Sequence, residues 1–564
     1  MALSTLLNMR LLAAGALLAA AGPASAQAPT IIGLSPAANT AALPRTGALT
    51  VTFSQPLTAA SAGALRVYGN QRGGLRTRGT TPAAVLGPAL SFAPGPRPYL
   101  PGEEVQYTVT RAATSTGGAA LARPWVGRFT AAVSGPGNGH FGPTATTWVD
   151  GTPYNVALGD ADNDGDLDLF VCMAGSVDVL LRLNDGKGHF GGGQRVSGGY
   201  NPSALVLADV NGDGWLDLLA VNFLSQNVTV SLNDGRGGFG NARSASAGAL
   251  PLALAVADLD GDGDLDLAIA NGGVRTVSVR MNDGTGAFSG TQDLPTTGQG
   301  DGVALGDVDQ DGDVDLVALD SFGATADVFR NDGSGTFGPL TTTPIARDPR
   351  NVALVDVDHD GDLDLLANSE AGQALSVRLN DGTGNFGGGQ DVPLGFNSWR
   401  MTIGDLNGDG HPDAAVVCPN DSVVSVCFND GAGRFDAPLH LPMGHSPYGV
   451  ATADVDGDGD LDLVAANFSG AGLVSVRLNE YLAPEPTAPT TGPLELYPNP
   501  TAGSFRVLSR EPDAPVRVFN SAGRQVLAAR TNATGAATLL LPTDLAPGLY
   551  LVKAGAHTQR LVVE

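Results

Sequence analysis

Short apolar runs alternate with glycine-rich polar turns along the middle of this chain, from residue 138 to residue 482. In the first complete unit, apolar runs cover residues 156–159, 167–172 and 177–183, and a fourth begins at Phe190. An acidic loop separates the first two runs, and an Asn-Asp-Gly turn follows the third. Because such turns between apolar runs are typical of β-hairpins, the pattern predicts four antiparallel strands in each unit.

The unit repeats with a fixed period of 49 residues, which the acidic loops keep throughout. The first residues of the seven loops are Asp160, Asp209, Asp258, Asp307, Asp356, Asp405 and Asp454. A four-stranded unit repeated at about 40–50 residues is typical of a β-propeller blade. The sequence therefore predicts a seven-bladed β-propeller over residues 138–482.

The two ends of this region complement each other. A Gly-x-Phe motif opens the fourth strand of the first six repeats, and the seventh repeat lacks it. The same motif lies at Gly139-His140-Phe141, 49 residues before Phe190. We therefore expect residues 139–149 to form the outer strand of the last blade, which would close the ring and remove an exposed sheet edge.

Segments of different composition flank the repeats. Residues 1–26 combine Arg10, an apolar run over 11–21 and Ala24-Ser25-Ala26, which predicts a secretory signal peptide. No other run approaches the roughly 20 apolar residues of a membrane-spanning helix, so no transmembrane segment is expected. Residues 28–133 and 494–564 show strand-like patterns, and a Pro/Thr linker over 483–493 precedes the second of them. The expected fold is all-β, with two small β-sandwich domains flanking the propeller.

The net charge of −26 has one source. The loops hold 31 aspartates; without them, 26 acidic residues stand against 31 Lys and Arg. Nucleic-acid binding needs a basic face, so no nucleic-acid partner is expected. Residues 28–133 contain nine Arg and two Glu, and the scattered positions of these Arg predict a solvated surface.

Three cysteines are too few for a disulfide framework, even in a secreted protein. Cys418 and Cys427 fall on two strands of one predicted hairpin, at different distances from its turn. This placement is too far apart for a bridge. We therefore expect Cys172, Cys418 and Cys427 to be buried free thiols.

The acidic loops follow the pattern DxDxDGxxD, which predicts calcium binding. Calcium takes six to eight oxygen ligands, and a loop with carboxylates at alternate positions can direct them at one ion. Glycine at position 6 allows the sharp turn, and position 7 offers its backbone carbonyl. The flanks are strand-like and position 12 is apolar, as at Val171, which excludes an EF-hand. We expect up to seven Ca²⁺ ions with a structural role.

The candidate ligand residues are grouped by their position in the loop. Positions 1 are the seven aspartates given above. Positions 3 and 5 are Asp162, Asn211, Asp260, Asp309, Asp358, Asn407 and Asp456, and Asp164, Asp213, Asp262, Asp311, Asp360, Asp409 and Asp458. Positions 7 and 9 are Asp166, Trp215, Asp264, Asp313, Asp362, His411 and Asp460, and Asp168, Asp217, Asp266, Asp315, Asp364, Asp413 and Asp462. The second and sixth loops carry Asn at position 3, so we expect weaker sites there.

The loops and Gly-x-Phe motifs together resemble FG-GAP/VCBS repeats, which occur in integrin α-subunit propellers and in many bacterial surface proteins. The resemblance implies a propeller with calcium held by the loop positions named above. Residues 28–133 resemble a bacterial Ig-like domain, which implies a role in spacing or display. The features behind this second resemblance are Leu34-Ser35-Pro36, Thr52-Phe53-Ser54-Gln55-Pro56 and Leu100-Pro101-Gly102-Glu103.

The C-terminal segment, residues 494–564, resembles a type IX secretion sorting domain. The motifs that carry the resemblance are Tyr497-Pro498-Asn499-Pro500, Gly503 with Phe505, and Pro547-Gly548-Leu549-Tyr550. It implies export across the outer membrane by the type IX machinery, to the cell surface or the medium.

The sequence favours a binding protein over an enzyme. It contains no HExxH, P-loop, GxSxG or Rossmann motif, and its seven histidines are scattered. We therefore expect a surface or secreted protein for adhesion or for binding a glycan or protein ligand. The alternative is a polysaccharide lyase or hydrolase on a propeller scaffold.

One position per blade varies while its neighbours stay regular. It lies six residues before each loop, at the start of the innermost strand, and should rim the central channel on the face opposite the loops. Aromatic and charged side chains at this position suit sugar or peptide recognition. With Ser203 and Leu252 completing the ring, the candidate ligand-face residues are Tyr154, Asp301, Arg350, Trp399 and Tyr448.

Overall fold

The protein divides into two compact units, Met1–Glu480 and Tyr481–Glu564. The predicted signal peptide and linker lie outside the residues that the structure describes. This computed structural model describes residues 27–78, 83–135, 137–468, 472–480, 494–501, 503–509, 512–520, 523–542, 545–554 and 557–563.

The first domain consists of two small antiparallel sheets packed face to face. Alternating apolar residues on their strands, such as Val51, Val67 and Phe129, meet in one core. The sheets have the orders β1-β2-β5-β4 and β3-β6-β7. The elements are β1 (Ile31–Ser35), β2 (Leu49–Phe53), a 3-10 helix (Ala59–Ala64), β3 (Leu65–Gly69), β4 (Ala84–Leu86), β5 (Ala89–Phe92), β6 (Glu104–Val109) and β7 (Trp125–Thr130).

Seven four-stranded antiparallel sheets follow, and they confirm the predicted blades. Strand β8 (Ala145–Trp148) comes before them in the chain. Blade 1 consists of β9 (Pro153–Gly159), β10 (Asp168–Met173), β11 (Asp178–Asn184) and β12 (Phe190–Ser197), and blade 2 of β13 (Pro202–Ala208), β14 (Asp217–Asn222), β15 (Asn227–Asn233) and β16 (Phe239–Ser246). Blade 3 consists of β17 (Pro251–Ala257), β18 (Asp266–Asn271), β19 (Thr276–Asn282) and β20 (Phe288–Pro295).

Blades 4 to 7 repeat the arrangement. Their strands are β21 (Val303–Gly306), β22 (Asp315–Asp320), β23 (Thr325–Phe329), β24 (Thr341–Pro344); β25 (Pro349–Val355), β26 (Asp364–Ser369), β27 (Ala374–Asn380), β28 (Phe386–Pro393); β29 (Met401–Gly404), β30 (Asp413–Cys418), β31 (Val423–Cys427), β32 (Leu439–Pro442); β33 (Pro447–Ala453), β34 (Asp462–Asn467) and β35 (Leu473–Arg477). Every residue of the second strand of each blade is buried, because neighbouring blades pack on both of its faces.

The ring closes between the two ends of the repeat region, as the sequence predicts. Strand β8 pairs with β35 as the outer strand of the last blade, from Trp148 opposite Leu473 to Ala145 opposite Val476. A further bridge joins Phe141 to Asn479. The N-terminal side of the propeller therefore completes the C-terminal blade.

The second unit is also a pair of antiparallel sheets, ordered β36-β37-β40 and β39-β38-β41-β42. Apolar side chains from both sheets, including Phe505, Val516 and Val552, form its core. The strands are β36 (Leu494–Tyr497), β37 (Ser504–Ser509), β38 (Pro515–Phe519), β39 (Gln525–Arg530), β40 (Ala536–Leu540), β41 (Gly548–Ala554) and β42 (His557–Val563).

The three cysteines are free and buried, as predicted. In blade 6, Cys418 lies opposite Val423 and Cys427 lies opposite Ala414, so the two thiols are at opposite ends of their hairpin. Burial raises the pKa of the Cys418 thiol to about 11. Among the described residues, no helix has the length and apolar character needed to cross a bilayer.

Candidate metal centres and the opposite face

Each acidic loop joins the innermost strand of a blade to its second strand, and position 9 is the first residue of that second strand. The glycine at position 6 has a positive φ in every loop, from 83° at Gly214 to 107° at Gly165. A side chain at this position would be strained, which explains the glycine there. The local backbone thus presents the carboxylates of one loop to a common point.

The carboxylates converge in five of the seven loops. In each of these, three aspartates place oxygens within 4.8 Å of one another, which is close enough to hold one cation. The groups are Asp160, Asp162 and Asp168; Asp258, Asp260 and Asp262; Asp307, Asp309 and Asp311; Asp356, Asp358 and Asp360; and Asp454, Asp456 and Asp462. The other two loops are those with Asn211 and Asn407, where one carboxylate is replaced by an amide.

Buried oxygens without a partner show that these residues fit a metal ion. Asp160 and Asp356 are only 4% and 5% exposed. Both carboxylate oxygens of Asp160 and Oδ1 of Asp356 are buried there without a hydrogen bond. Burial raises the pKa of Asp160 to about 6, because water is withdrawn from the charged carboxylate. An all-oxygen donor set with this much negative charge suits a hard divalent cation.

The position-9 aspartate has an additional structural role. In blade 3, Asp266 accepts the backbone N–H of Leu259 through Oδ2 at 2.9 Å and that of Asn282 through Oδ1 at 2.8 Å. Both bonds recur in all seven blades. This carboxylate therefore ties the loop to the Asn-Asp-Gly turn of its own blade. Burial raises the pKa of Asp266 to about 8.

The asparagine of that turn connects neighbouring blades, which the sequence interpretation missed. Asn282 donates from Nδ2 to the carbonyl oxygen of Val210 in the preceding loop, at 2.8 Å. The equivalent bond is present at every blade junction, at 2.7–2.8 Å. The asparagines are Asn184, Asn233, Asn282, Asn331, Asn380, Asn429 and Asn479. The bond from Asn184 reaches Val455 and so spans the closure of the ring.

The first domain lies directly on the loop face, and this corrects the prediction that its arginines are a solvated surface. Arg66 pairs with Asp264 at 3.3 Å, Arg123 with Asp313 at 2.5 Å, and Arg72 lies 3.9 Å from Asp160. The positions are scattered in sequence because the acidic loops they meet are arranged in a circle.

Neutral groups of the same domain complete this contact. Thr108 donates to Asp258 at 2.7 Å, and the backbone N–H of Leu75 donates to Asp209 at 2.8 Å. The Tyr68 hydroxyl donates to the carbonyl oxygen of Gly263 at 2.7 Å. These groups belong to the β3-β6-β7 sheet and its neighbouring loop, which therefore cover much of the loop face and the adjoining end of the central channel.

Two histidines on the loop face approach each other. His359, at position 4 of loop 5, lies with Nε2 at 2.5 Å from Nδ1 of His411, at position 7 of loop 6. Their contact depends on the placement of adjacent blades, so the scattered sequence positions gave no signal of it.

The opposite face carries a cluster of aromatic rings at the channel mouth. Tyr448 is its centre, with ring centroids 5.6 Å from Trp399, 5.8 Å from Tyr154 and 4.8 Å from Phe468. Trp399, Tyr448 and Tyr154 occupy the position, six residues before each loop, that varies from blade to blade in the sequence. Pairs at these separations pack favourably, so the cluster forms one continuous apolar surface across blades 6, 7 and 1.

A charged group adjoins the aromatic rings. The Arg350 guanidinium lies 4.7 Å from the centre of the Trp399 ring and pairs with Asp301, Asp348 and Glu370. All five candidate ligand-face residues therefore form one contiguous patch. Ser203, at the same position in blade 2, does not join the patch. Its side chain is buried and its hydroxyl donates to the backbone carbonyl oxygens of Val221 and Pro251.

Large exposed hydrophobic side chains are concentrated on this same face. They lie in the turns between the second and third strands or in the connections between blades. The residues are Val177, Tyr200, Leu224, Val274, Phe322, Phe396 and Phe468. A concentration of apolar groups on one face is typical of an interaction surface.

Comparison with protein families accords with this architecture. The FG-GAP-like repeat matches residues 160–220, 209–269, 258–318, 307–367, 356–416 and 405–465. The secretion system C-terminal sorting domain matches residues 495–564. A type IX sorting domain directs a protein through the secretion machinery to the cell surface or the medium. No curated protein matches the chain.

Solved structures with similar folds share little sequence with this chain. One is a lectin from Agrocybe aegerita that recognises non-reducing terminal N-acetylglucosamine, with 19% identity, a TM-score of 0.39, and coverage of 75% of this chain and 100% of that one. Another is an inactive virginiamycin B lyase from Staphylococcus aureus with quinupristin, with 10% identity, a TM-score of 0.40, and coverage of 60% and 99%.

The family assignment rests on the repeats themselves. Their matches extend without a gap from residue 160 to residue 465, which is more than half of the chain. They coincide with the blades and with the loops whose carboxylates converge. This chain belongs to the FG-GAP-like repeat family.

Proposed function

We propose that this chain is an exported, calcium-stabilised propeller that binds an extracellular glycan or protein through the face opposite its metal loops. Residues 1–26 would act as the signal peptide, the type IX machinery would complete export, and the first domain would be a bacterial Ig-like module. The proteins it meets would thus be those of the secretion system and the cell exterior.

Calcium is the cation that the loops suit best. The donors are carboxylate and carbonyl oxygens, with no sulfur and little nitrogen, and the converging groups carry three negative charges each. Without an ion these carboxylates repel one another across a few ångströms. The bound metal would therefore stabilise the folded ring, with as many as seven ions per chain.

The placement of the first domain is the observation that carries the proposed binding face. Its β3-β6-β7 sheet contacts the loops, so a ligand has far less access to that side. On the other side, Trp399, Tyr448 and Arg350 form part of a contiguous patch at the channel mouth. Aromatic rings beside charged groups are the combination that interfaces use as binding centres.

Binding, rather than catalysis, is the role we propose for this patch. Its carboxylates, Asp301, Asp348 and Glu370, all pair with one guanidinium, that of Arg350. A general acid or base needs a pKa and a position matched to a reacting bond. Charges that hold one another in place are better suited to orienting polar groups of a ligand.

Substitution of two aromatic residues tests the proposal. The variant carrying Trp399→Ala and Tyr448→Ala should lose binding in a glycan-array and surface-protein screen while calcium content and melting temperature stay near those of the wild type. A matched control removes Trp148 and Leu439, which are exposed on the outer strands β8 and β32 and lie outside the aromatic cluster, and it should keep binding. Intact binding in the first variant would place the site elsewhere.

A further inference from the structure

One arginine crosses the central channel at the level of the aromatic cluster. The residue that follows the variable position is small or an amide in six of the seven blades, and it is Arg400 in blade 6. Those six residues are Asn155, Ala204, Ala253, Gly302, Asn351 and Gly449. Arg400 extends into the space that they leave, and its Nη2 donates to the carbonyl oxygen of Ser203 in blade 2, at 2.9 Å.

The charge of Arg400 is not matched in the way that the charge of Arg350 is. Its Nε atom is buried without a hydrogen-bond partner, and within the described part of the chain no carboxylate forms an ion pair with it. Asp301 is close enough for its charge to interact with that of Arg400, but its carboxylate bonds Arg350. A guanidinium has five N–H donors, and among the described residues one hydrogen bond, to the Ser203 carbonyl, uses them.

Such a group is costly in this setting. The buried Nε has lost its water without gaining a hydrogen-bond partner, which costs free energy. A ligand carboxylate could replace the lost water, because its two oxygens match the fork of N–H donors on a guanidinium.

The neighbour of Arg400 determines which molecule could bring that carboxylate. Trp399 precedes it in sequence and belongs to the aromatic cluster with Tyr448. A ligand whose ring packs on the aromatic cluster would therefore place a substituent near the guanidinium. Nearby, Asp301, Asp348 and Glu370 are each paired with Arg350, which limits their repulsion of an anion.

We propose that Arg400 binds a carboxylate of the ligand, and that the ligand is an acidic saccharide of the uronic acid type whose ring packs on Trp399 and Tyr448. This inference rests on the proposed binding function of the same face and specifies its chemistry. It assigns the aromatic residues to the sugar ring and Arg400 to the acid group.

Methyl esters of the same saccharides provide the test, because esterification removes the charge and keeps the sugar. Oligogalacturonates, oligoglucuronates and oligomannuronates are titrated as free acids and as methyl esters into the calcium-loaded full chain, at constant ionic strength. At least one free acid should bind about tenfold tighter than its ester, the effect of a hydrogen bond to a charged group. Tryptophan fluorescence and calorimetry measure both.

Arg400→Gln should reduce that ratio to about one and leave ester binding unchanged. Glutamine removes the charge but is two bonds too short to reach the Ser203 carbonyl, so the melting temperature checks that losing this contact leaves the fold intact. Arg347→Gln, an exposed arginine near Arg350, is the matched control and should keep the ratio.

The possible failures separate the two proposals. Equal binding of acids and esters, an unchanged ratio in Arg400→Gln, or no binding of any acid would overturn the role of Arg400. Ester binding that disappears with Trp399→Ala and Tyr448→Ala would then leave the proposed function standing. Saccharide binding that survives this double substitution would overturn the proposed function itself.

Discussion

Replacing Asn282 by alanine tests the contact between neighbouring blades. Its Nδ2 atom donates to the carbonyl oxygens of Val210 at 2.8 Å and Leu265 at 3.0 Å, and its Oδ1 atom accepts the backbone N–H groups of Gly284 and Gly286. Alanine removes all four bonds. It also leaves two carbonyl groups without a partner in a region where Val210 is only 1% exposed.

The expected cost follows from these losses. A neutral hydrogen bond contributes about 1 kcal/mol net, and a buried polar group left unpaired costs about 1–3 kcal/mol. Water can reach part of the turn, so we expect a total of about 3–5 kcal/mol in the free energy of unfolding. Because the contact joins two blades, their unfolding should also become less cooperative.

Urea unfolding followed by circular dichroism in saturating calcium measures this cost. The control is Asn385→Ala, an exposed asparagine in the equivalent hairpin of blade 5, whose side chain bonds only within its own turn. The control should change stability by less than about 0.5 kcal/mol. Equal stabilities for the two variants would refute the role assigned to the asparagine ring, meaning the circle of seven asparagines formed by Asn282 and its equivalents at the blade junctions.

Three further predictions concern charge, docking and export. Burial raises the pKa of Asp266 and Asp413 to about 8, so the folded state favours their protonated forms. In chelator the melting temperature should therefore fall as pH rises from about 4 to 8, and saturating calcium should remove this decline. A rise over that range in chelator would contradict this. Arg66→Ala with Arg123→Ala should cost under about 1 kcal/mol per ion pair, since both arginines are partly exposed, but should speed hydrogen exchange in loops 3 and 4; unchanged exchange would refute the docking. A chain ending at Glu480 should fold and bind calcium but fail to reach the cell surface, and normal surface delivery would refute the sorting role of residues 494–564.

The blades could be predicted from sequence because their signals are local and repeated. The apolar runs, the loops with glycine at position 6, and the Asn-Asp-Gly turns each recur with the same period, so the errors of one copy are corrected by the others. Closure was predictable for the same reason, because Phe141 keeps the register of Phe190. Strand ends differ from the predicted runs by only a few residues, as at Pro153–Gly159.

The contacts missed by the sequence interpretation join parts of the chain that share no period. Arg66 and Asp264 are 198 residues apart, and nothing local to either indicates the other. The asparagine ring did leave a signal. In the seventh blade the turn has lost its Asp and Gly but keeps Asn479, which shows that the side chain matters beyond the turn.

Thermal unfolding of the metal-free chain, with calcium then added back, tests the central claim most directly. Full-length protein is stripped with excess chelator, its metal content is measured, and its melting is followed by calorimetry. Each filled site should add about 2.7 kcal/mol at an ion concentration 100 times its Kd. We predict a large drop in melting temperature after stripping and full recovery with calcium, with as many as seven ions bound. A melting temperature unchanged in excess chelator would contradict the account.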